Sequence, residues 1–410
     1  MKILYTSKKN AIWLSVLATT TSLSLHAQET TYDNLYDALS HGSVFGNLNL
    51  RYESVEQDNI LQDASASTFR TRLGYQTGSL NGFSVTVEME DNRIVLGEGD
   101  YSVPPTGYNT GIYSVIADPE HTELDQGFIQ YKNQHLTVKL GRQVITHDGH
   151  RFIGHVGWRQ DRQTFDAATV IYAPTQKMQL SYSFIDQRNG IFAEVADTDS
   201  SDHLLHASYK TDFGALTAYG YLLEADLAAG LDNSLDTYGA RFSGATPMHS
   251  FKALYHVEYA KQTNRFGASD FDADYLNVEA GVVVSGITAK LGYELLGSDD
   301  GQYGFQTPLA TLHKFNGWTD QFLKTPIQGL VDTSFTLSGK LAGGTWLAVY
   351  HDFDADESTA QVDDLGKEIN LQYLTKFAKH YTVGVKFATY SGASQKVDTD
   401  KLWVWLSTAF

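Results

Sequence analysis

The sequence predicts an all-β fold, a transmembrane antiparallel β-barrel of about 18 strands with short periplasmic turns and long extracellular loops. The first observation is the end of the chain, where residues 401–410 alternate in a strand pattern and finish on Phe410. Leu402, Val404 and Leu406 share one face of this strand, as expected where a closing barrel strand meets lipid. A soluble protein seldom ends on such a strand, because chain termini usually fray into water.

The second observation is a series of about 18 segments with period-two alternation, joined by links that alternate between long and short. The long links include residues 96–121, 143–163, 263–271 and 297–330, whereas residues 285–286 are typical of the short ones. Strict alternation of this kind is typical of an outer-membrane barrel. The predicted strands start near Val44, Ser67, Phe83, Thr122, His135, Thr164, Lys177, His203, Gly214, Thr237, His249, Asp272, Ile287, Val331, Thr345, Lys367, Tyr381 and Lys401.

The composition favours the same class of protein. Beyond the N-terminal segment no stretch is apolar for long enough to form a transmembrane helix, and a membrane protein without such helices must be a closed barrel. The chain contains 24 Tyr and 21 Phe against 4 Met, a usage suited to strands and aromatic girdles. The absence of Cys excludes disulfides and thiol chemistry. The net charge of −18 argues against nucleic acid as a partner.

The N-terminal segment predicts a bacterial signal peptide. Lys2, Lys8 and Lys9 precede an apolar stretch at residues 11–25, and cleavage is expected near Ala27. The alternative is an uncleaved membrane anchor, although the apolar stretch is short and rich in Thr.

The predicted organisation has three parts. They are a signal peptide at residues 1–27, a short periplasmic N-terminal segment at 28–42 and an outer-membrane β-barrel at 43–410. The protein is therefore expected in the outer membrane of a bacterial cell. Its expected partners there are outer-membrane lipid and lipopolysaccharide, and the barrel assembly machinery, because a closing strand that ends in Phe resembles the signal which that machinery reads.

Side-chain alternation separates the residues that face lipid from those that face the lumen. Arg51, Arg70 and Arg72 would point inward from the first two strands, and Glu88 and Glu90 from the third. An Arg or Lys facing lipid near the midplane costs about 2–4 kcal/mol, so charged strand residues should face the lumen. A polar lumen enclosed by about 18 strands is wide enough for an aqueous channel.

Two long links are expected to shape this channel. Residues 141–166 carry four arginines and Trp158, which could form a cationic constriction that selects anions. Alternatively, the arginines pair with nearby acids and lock the link to the wall, and both can hold together. Residues 307–323 are too apolar for a free loop, so they either pack on the barrel or form a platform for sugar rings.

Several segments resemble the alginate-export family of outer-membrane porins. They are N-L-N-L-R-Y-E at 47–53, F-R-T-R-L-G-Y-Q-T-G at 69–78, G-F-S-V-T-V-E-M-E-D at 82–91, L-G-R-Q at 140–143, R-F-I-G-H-V-G-W-R-Q-D-R-Q-T-F-D at 151–166 and T-P-L-A-T-L-H from residue 307. The resemblance implies an 18-stranded barrel with an arginine-rich, anion-selective pore for an acidic polysaccharide. It implies pore-lining roles for Arg51, Arg70, Arg72, Arg142 and Arg159. The chain departs from the pattern in placing many acids beside these arginines.

The predicted function is that of an outer-membrane porin, through whose aqueous channel small polar or anionic solutes diffuse, including acidic, alginate-like oligosaccharides. The alternatives are a polymer-exporting channel of a polysaccharide secretion complex, and a closed barrel that acts as an adhesin or structural anchor. The predicted pore-lining, substrate-binding residues are Arg51, Arg70, Arg72, Glu88, Glu90, Arg142, Arg151, Arg159, Arg162 and Lys290.

No enzyme activity is expected, because no nucleophile motif stands out. His147, Asp148 and His150 are close together in sequence, but no third metal ligand is indicated beside the two histidines. No catalytic residue, metal ligand or cofactor is therefore predicted. Acidic loops could hold Ca2+ together with lipopolysaccharide, and the alternative is ordinary solvated loop charge.

Overall fold

The structure is a computed structural model that describes residues 31–226, 233–394 and 396–410. Eighteen strands form one closed antiparallel barrel. The strands are β1 (Ser43–Gln57), β2 (Ala64–Gln76), β3 (Phe83–Asp100), β4 (His121–Lys132), β5 (Leu136–Gln143), β6 (Thr164–Thr175), β7 (Met178–Asn189), β8 (Thr198–Lys210), β9 (Ala215–Leu223), β10 (Asn233–Pro247), β11 (Lys252–Phe266), β12 (Ser269–Val284), β13 (Ile287–Leu296), β14 (Leu330–Leu341), β15 (Gly344–Asp354), β16 (Asp364–Phe377), β17 (Tyr381–Ser391) and β18 (Thr399–Ala409).

Every barrel strand pairs with the next one along the chain, and β18 returns to β1. At this seam Asn47 lies opposite Ala409, and Gln57 lies opposite Thr399. Closure leaves no strand edge unpaired, as a lipid environment requires. The predicted fold class, an antiparallel barrel of about 18 strands, is confirmed.

The other regular elements are short. Helix α1 (Leu35–Ser40) is capped by Asn34, and the amide of Gly78 donates to Ala38 O at 2.8 Å, which ties the helix to the β2–β3 turn. None of the described helices is long and apolar enough to cross a membrane. Single 3-10 turns occur at Pro104–Thr106, Asp148–His150, Ala193–Ala196 and Leu312–Lys314, and two-residue strands at Thr31–Tyr32, Ser79–Leu80, Ser298–Asp299 and Tyr303–Gly304. The predicted signal peptide lies outside the described residues.

One predicted link is wrong. The sequence predicts a long link at residues 263–271, but β11 and β12 continue through it and join at a two-residue turn between Phe266 and Ser269. Gly267 occupies this turn with φ +61°, a conformation that glycine adopts without strain. The polar composition suggested a loop, yet Thr263 pairs with Asp272 in the ladder. Outside the membrane a strand can be polar on both faces, so composition does not mark where it ends.

The two faces of the wall follow the predicted alternation. On β3, Val85, Val87 and Met89 are 41%, 49% and 45% exposed on the outer surface, whereas Glu88 and Glu90 are 5% and 0% exposed. The outward residues form the apolar surface that lipid would cover. The inward charges instead meet other parts of the chain, because the lumen is not empty.

Three long links enter the barrel, and we name them by their residues. Inner segment A is residues 101–120, inner segment B is 144–163 and inner segment C is 297–329. Phe152 of segment B packs against Tyr219 and Tyr275 of the wall, with ring centroids 5.2 Å apart in each case, and lies 5.9 Å from Phe305 of segment C. The main hydrophobic cluster therefore lies inside the barrel.

Candidate functional site: the constriction of the lumen

Inner segment B crosses the lumen and is held by ion pairs at both ends. Arg151 Nε donates to Glu294 Oε1 on β13 at 2.6 Å, and Arg159 Nη1 lies 3.0 Å from Glu53 Oε2 on β1. Strands β13 and β1 are far apart around the ring, so a segment that reaches both must span the interior. All four side chains are buried. Buried charges are tolerated when they are paired in this way.

A second contact joins the C-terminal part of segment B to β3 and β4. Arg162 Nε donates to Asp125 Oδ1 at 2.8 Å, and its Nη2 donates to Glu88 Oε2 at 2.6 Å. On the wall beside it, Arg72 pairs with Glu90. Although burial alone would lower it, Asp125 and Glu88 raise the pKa of Arg162. The arginine therefore stays charged and remains engaged with the wall.

Inner segment A adds a third contact. Arg51 of β1 pairs with Asp118, and its Nη1 donates to the carbonyl of Trp158. The other Asp118 oxygen accepts from the amide of Gln160 at 2.8 Å. Although burial alone would raise it, Arg51 and Arg159 hold the pKa of Asp118 below its ordinary value. Segments A and B therefore share one charged junction at the wall.

Inner segment C contributes Asp320 and His313 to a buried polar network. Asp320 Oδ2 lies 3.2 Å from Arg159 Nη2 and 2.7 Å from Lys401 Nζ, and Asp320 Oδ1 lies 2.7 Å from His313 Nδ1. Lys386 Nζ lies 2.7 Å from the other ring nitrogen of His313. Burial, together with Lys386, lowers the pKa of His313 strongly, so the ring is neutral and its Nε2 accepts a hydrogen bond from Lys386 Nζ.

Aromatic rings surround Lys386 in this network. Lys386 Nζ lies 3.8 Å from the ring centroid of Trp318 and 4.2 Å from that of Trp158. Leu309 and Phe322 of segment C are also buried, at 2% and 5% exposure. These apolar side chains of segment C therefore pack inside the barrel, which is one of the two alternatives that the sequence left open.

Arg70 differs from the other wall arginines. Its guanidinium donates to the carbonyl of Arg159 at 3.3 Å and to the side chain of Asn47. Within residues 31–226, 233–394 and 396–410, no carboxylate lies within 4 Å of it, and its Nε has no hydrogen-bond partner. Arg70 is thus a buried cation that faces the lumen without an acidic partner.

Two of the predicted pore-lining residues lie away from the constriction. Lys290 faces the more open part of the lumen, where its Nζ pairs with Glu279 at 2.8 Å. Arg142 lies directly opposite Asp166 in the ladder and pairs with it at 2.8 Å. Arg142 and Leu140 are two residues apart on β5, so their side chains lie on the same side of the wall. Leu140 is 60% exposed on the outer surface, and Arg142 therefore faces outward near the long-link end.

Two lysines face the short-turn half of the lumen without an acidic partner among the described residues. Lys139 Nζ lies 4.7 Å from the ring centroid of Phe128, and Lys314 Nζ donates to Gly149 O at 2.6 Å. Burial lowers the pKa of Lys314 to about 8, with Lys290 contributing. At neutral pH Lys314 is therefore largely protonated and adds positive charge to this part of the lumen.

The structure brings most of the predicted site residues together. Seven lie in or beside the buried junctions, namely Arg51, Arg72, Glu88, Glu90, Arg151, Arg159 and Arg162. Sequence reasoning missed the acids that pair with them, Asp118, Asp125 and Asp320, and the cations Lys139 and Lys314. Asp118 and Asp320 lie in long links, where an acid is ordinarily read as solvated charge, so no local signal distinguishes them.

The chain belongs to the alginate-export family. The family model described as "Alginate export" matches residues 42–298, which is more than half of the chain. The protein is accordingly an outer-membrane β-barrel of the alginate-export type. No curated protein sequence matches the chain.

Solved porin structures share the fold. Pseudomonas aeruginosa OpdK, crystallised with vanillate, superposes with a TM-score of 0.70 at 13% identity, over 91% of this chain and 99% of that one. P. aeruginosa OpdQ gives a TM-score of 0.70 at 14% identity, over 92% and 99% of the two chains. Acinetobacter baumannii OccAB4 gives 0.71 at 11% identity, over 92% and 100%. At such identities the likeness establishes the fold alone.

Proposed function

We propose that this protein is an outer-membrane channel through which small anionic solutes diffuse, with acidic oligosaccharides within its substrate class. The observation that supports this function is the set of lumen cations that lack an acidic partner in the described part of the chain. Arg70, Lys139 and Lys314 belong to this set, whereas Glu53 and Glu294 of the constriction each pair with an arginine. Excess positive charge along a pore attracts anions and repels cations.

The position of these cations suits a channel with a selective constriction. Arg70 lies on the wall beside segment B, Lys139 on β5 and Lys314 on segment C. A solute that enters from the short-turn end would therefore meet cations contributed by different sides of the lumen. The solved relative OpdK was crystallised with vanillate, an aromatic carboxylate, which agrees with small organic anions as solutes.

The experiment is single-channel recording of the refolded protein in a planar bilayer, with the reversal potential measured under a salt gradient. We expect anion-selective current. Substitution of Lys139→Gln together with Lys314→Gln should shift the reversal potential toward the equilibrium potential of the cation, because the channel then selects less strongly for anions. The matched control is Lys177→Gln, because Lys177 lies at an exposed short turn. An unchanged reversal potential in the double variant would contradict the proposal.

Substrate class is tested in the same recordings. Alginate oligomers and small aromatic carboxylates are added in turn, and neutral oligosaccharides of similar size serve as the control. Block of the current by the acidic compounds alone would support the proposal. Equal block by neutral sugars would indicate a general porin instead. The polymer-exporting alternative requires passage of long chains, so block by oligomers that does not extend to longer alginate would count against it.

A second candidate function is a closed barrel that acts as an adhesin or structural anchor. The observation in its favour is that segments A, B and C fill part of the lumen with buried ion pairs and aromatic packing. This candidate predicts no current from correctly folded protein. Folding is checked independently by the electrophoretic mobility of unheated samples, so an absence of current cannot be confused with failure to refold.

A further inference from the structure

A compact group of metal-binding side chains lies where segment B meets the wall. Glu90 of β3, His121 at the start of β4 and Asp161 of segment B each place one ligand atom within 4.8 Å of the others. The three residues are 0%, 8% and 0% exposed. They come from three separate parts of the chain, so only the folded barrel with its inserted segment assembles them.

His121 is oriented as metal-binding histidines are. Its Nδ1 lies 3.1 Å from the carbonyl of Pro119, which can accept the ring proton and leave the lone pair on Nε2. Nε2 lies 3.3 Å from Glu90 Oε1 and 3.7 Å from Asp161 Oδ2. Ligands about 2.0–2.2 Å from a tetrahedral Zn2+ lie roughly 3.3 Å from one another. The observed separations are therefore close to those of a coordination shell.

Each of the three side chains has one polar atom without a hydrogen-bond partner. These are Glu90 Oε1, His121 Nε2 and Asp161 Oδ1, all of them buried. The other carboxylate oxygens are engaged, because Glu90 Oε2 accepts from Arg72 and Asp161 Oδ2 accepts from the amide of Ala193. Buried polar atoms are nearly always satisfied in folded proteins. Glu90 Oε1 and His121 Nε2 lie 3.3 Å apart, and Asp161 brings a second carboxylate to this pair, so the group is suited to hold a cation.

We propose that Glu90, His121 and Asp161 bind one divalent transition-metal ion, with Zn2+ or Mn2+ as the chemical class. One imidazole nitrogen and two carboxylate oxygens form a donor set that suits these ions. Glu123 lies close enough to interact electrostatically with His121 and Glu90, which adds negative potential. The bound ion would join segment B to β3 and β4. The rival explanation is a protonated His121 that bridges the two carboxylates.

The test is metal binding by the refolded full chain after treatment with a chelator, measured by equilibrium dialysis with Zn2+ and elemental analysis. We expect one tightly bound Zn2+ per chain in the wild type and in the control His249→Gln, because His249 is an exposed turn residue. His121→Gln should weaken Zn2+ binding by at least about tenfold. Loss of a group that only supports a metal ligand already weakens binding by about that factor, and His121 is proposed as a ligand itself. Equal binding by His121→Gln and wild type would overturn the proposal.

A second measurement uses only the wild type, so it does not depend on how a variant folds. The chelator-treated protein is loaded with one equivalent of Co2+, and its visible and electron paramagnetic spectra are recorded. We expect a low-symmetry site with one nitrogen ligand. Failure to bind one equivalent would support the protonated-histidine explanation and overturn the metal site. Neither readout uses conductance, so the result is independent of the proposed channel function.

Discussion

At the scale of single residues, the constriction depends on buried ion pairs, and Arg151 provides a clear case. Glu294 is the one carboxylate within 4 Å of it in the described ranges, and both side chains lie deep in the lumen. We predict that Glu294→Gln releases segment B, because removal of one partner leaves an uncompensated buried charge. Such a loss costs about 3–5 kcal/mol, an upper limit here because the segment can move into water.

The measurement is limited proteolysis by trypsin, which cleaves after arginine. Cleavage within residues 144–163 should become much faster in Glu294→Gln. Glu279→Gln is the matched control, because Glu279 pairs with Lys290 in a half-exposed setting. Pairs of that kind contribute about 0.2–1 kcal/mol. Equal cleavage of the two variants would mean that the buried pair does not hold the segment.

The second prediction at this scale concerns pH. The pKa of Lys314 is lowered to about 8 by burial, helped by Lys290 and Arg241. Lys314 therefore loses its proton as the pH rises from 7 to 9, and the lumen loses one positive charge. We predict that anion selectivity falls across this range.

The reversal potential measured at several pH values checks this expectation. Lys314→Gln should reproduce at pH 7 the reduced selectivity of the wild type at pH 9, and should show little further change between the two. Lys177→Gln is the control, since Lys177 is exposed at a short turn. Selectivity that falls just as steeply with pH in Lys314→Gln would assign the effect to another group.

At the scale of elements, we expect segment B to limit the width of the channel, because it crosses the lumen. Its two ends are neighbours in the wall, because Gln143 lies opposite Phe165 in the ladder. A short Gly-Ser linker can therefore replace residues 146–161 without changing the register of β5 and β6. We predict that this replacement increases the single-channel conductance severalfold, because barrels of 16–18 strands enclose an aqueous channel when it is not filled.

The control for this deletion is a similar replacement of residues 358–361, which are exposed in the link between β15 and β16. Asp354 lies opposite Asp364 at the base of this link, so the wall is preserved here as well. Conductance should be unchanged in the control. If the loss of segment B also left conductance unchanged, segments A and C would have to form the limiting constriction.

The strands could be predicted from the sequence because each carries its own alternation. Val85, Val87 and Met89 mark one face of β3, and Glu88 and Glu90 mark the other, without reference to any distant residue. The register then follows from the short turns. A strand segment that is polar on both faces carries no such local signal, which is why the sequence predicts a loop at residues 263–271 although these residues complete two strands.

The candidate site was less predictable than the wall for a related reason. The sequence shows that residues 141–166 are rich in arginine, but it does not show which acid each arginine meets. Arg151 and Glu294 are 143 residues apart in sequence and meet only because segment B crosses the lumen. Arg142 faces outward because of its place in the inward–outward alternation of β5. This strand has eight residues, too few to show that alternation clearly in the sequence.

At the scale of the whole molecule, the architecture depends on one long-range seam between the first and last barrel strands. The backbone of Gly46 exchanges two hydrogen bonds with that of Phe410, at 3.0 and 3.1 Å. Leu50 lies directly opposite Leu406 along the same seam. Opposed residues in an antiparallel pair have Cα atoms about 4.5–5.5 Å apart, a separation that a disulfide can span.

The chain contains no Cys, so introduced cysteines can be tested without interference. We predict that the double variant Leu50→Cys with Leu406→Cys forms a disulfide on oxidation, and that denatured protein then migrates as a covalent ring until it is reduced. The control pairs Leu50→Cys with Leu402→Cys, since Leu402 lies opposite Ser54. Four residues of offset correspond to roughly 13 Å, too far for a disulfide. Equal cross-linking of both pairs would mean that the ends of the chain meet without a fixed register, and the closed barrel would then lack its defining seam.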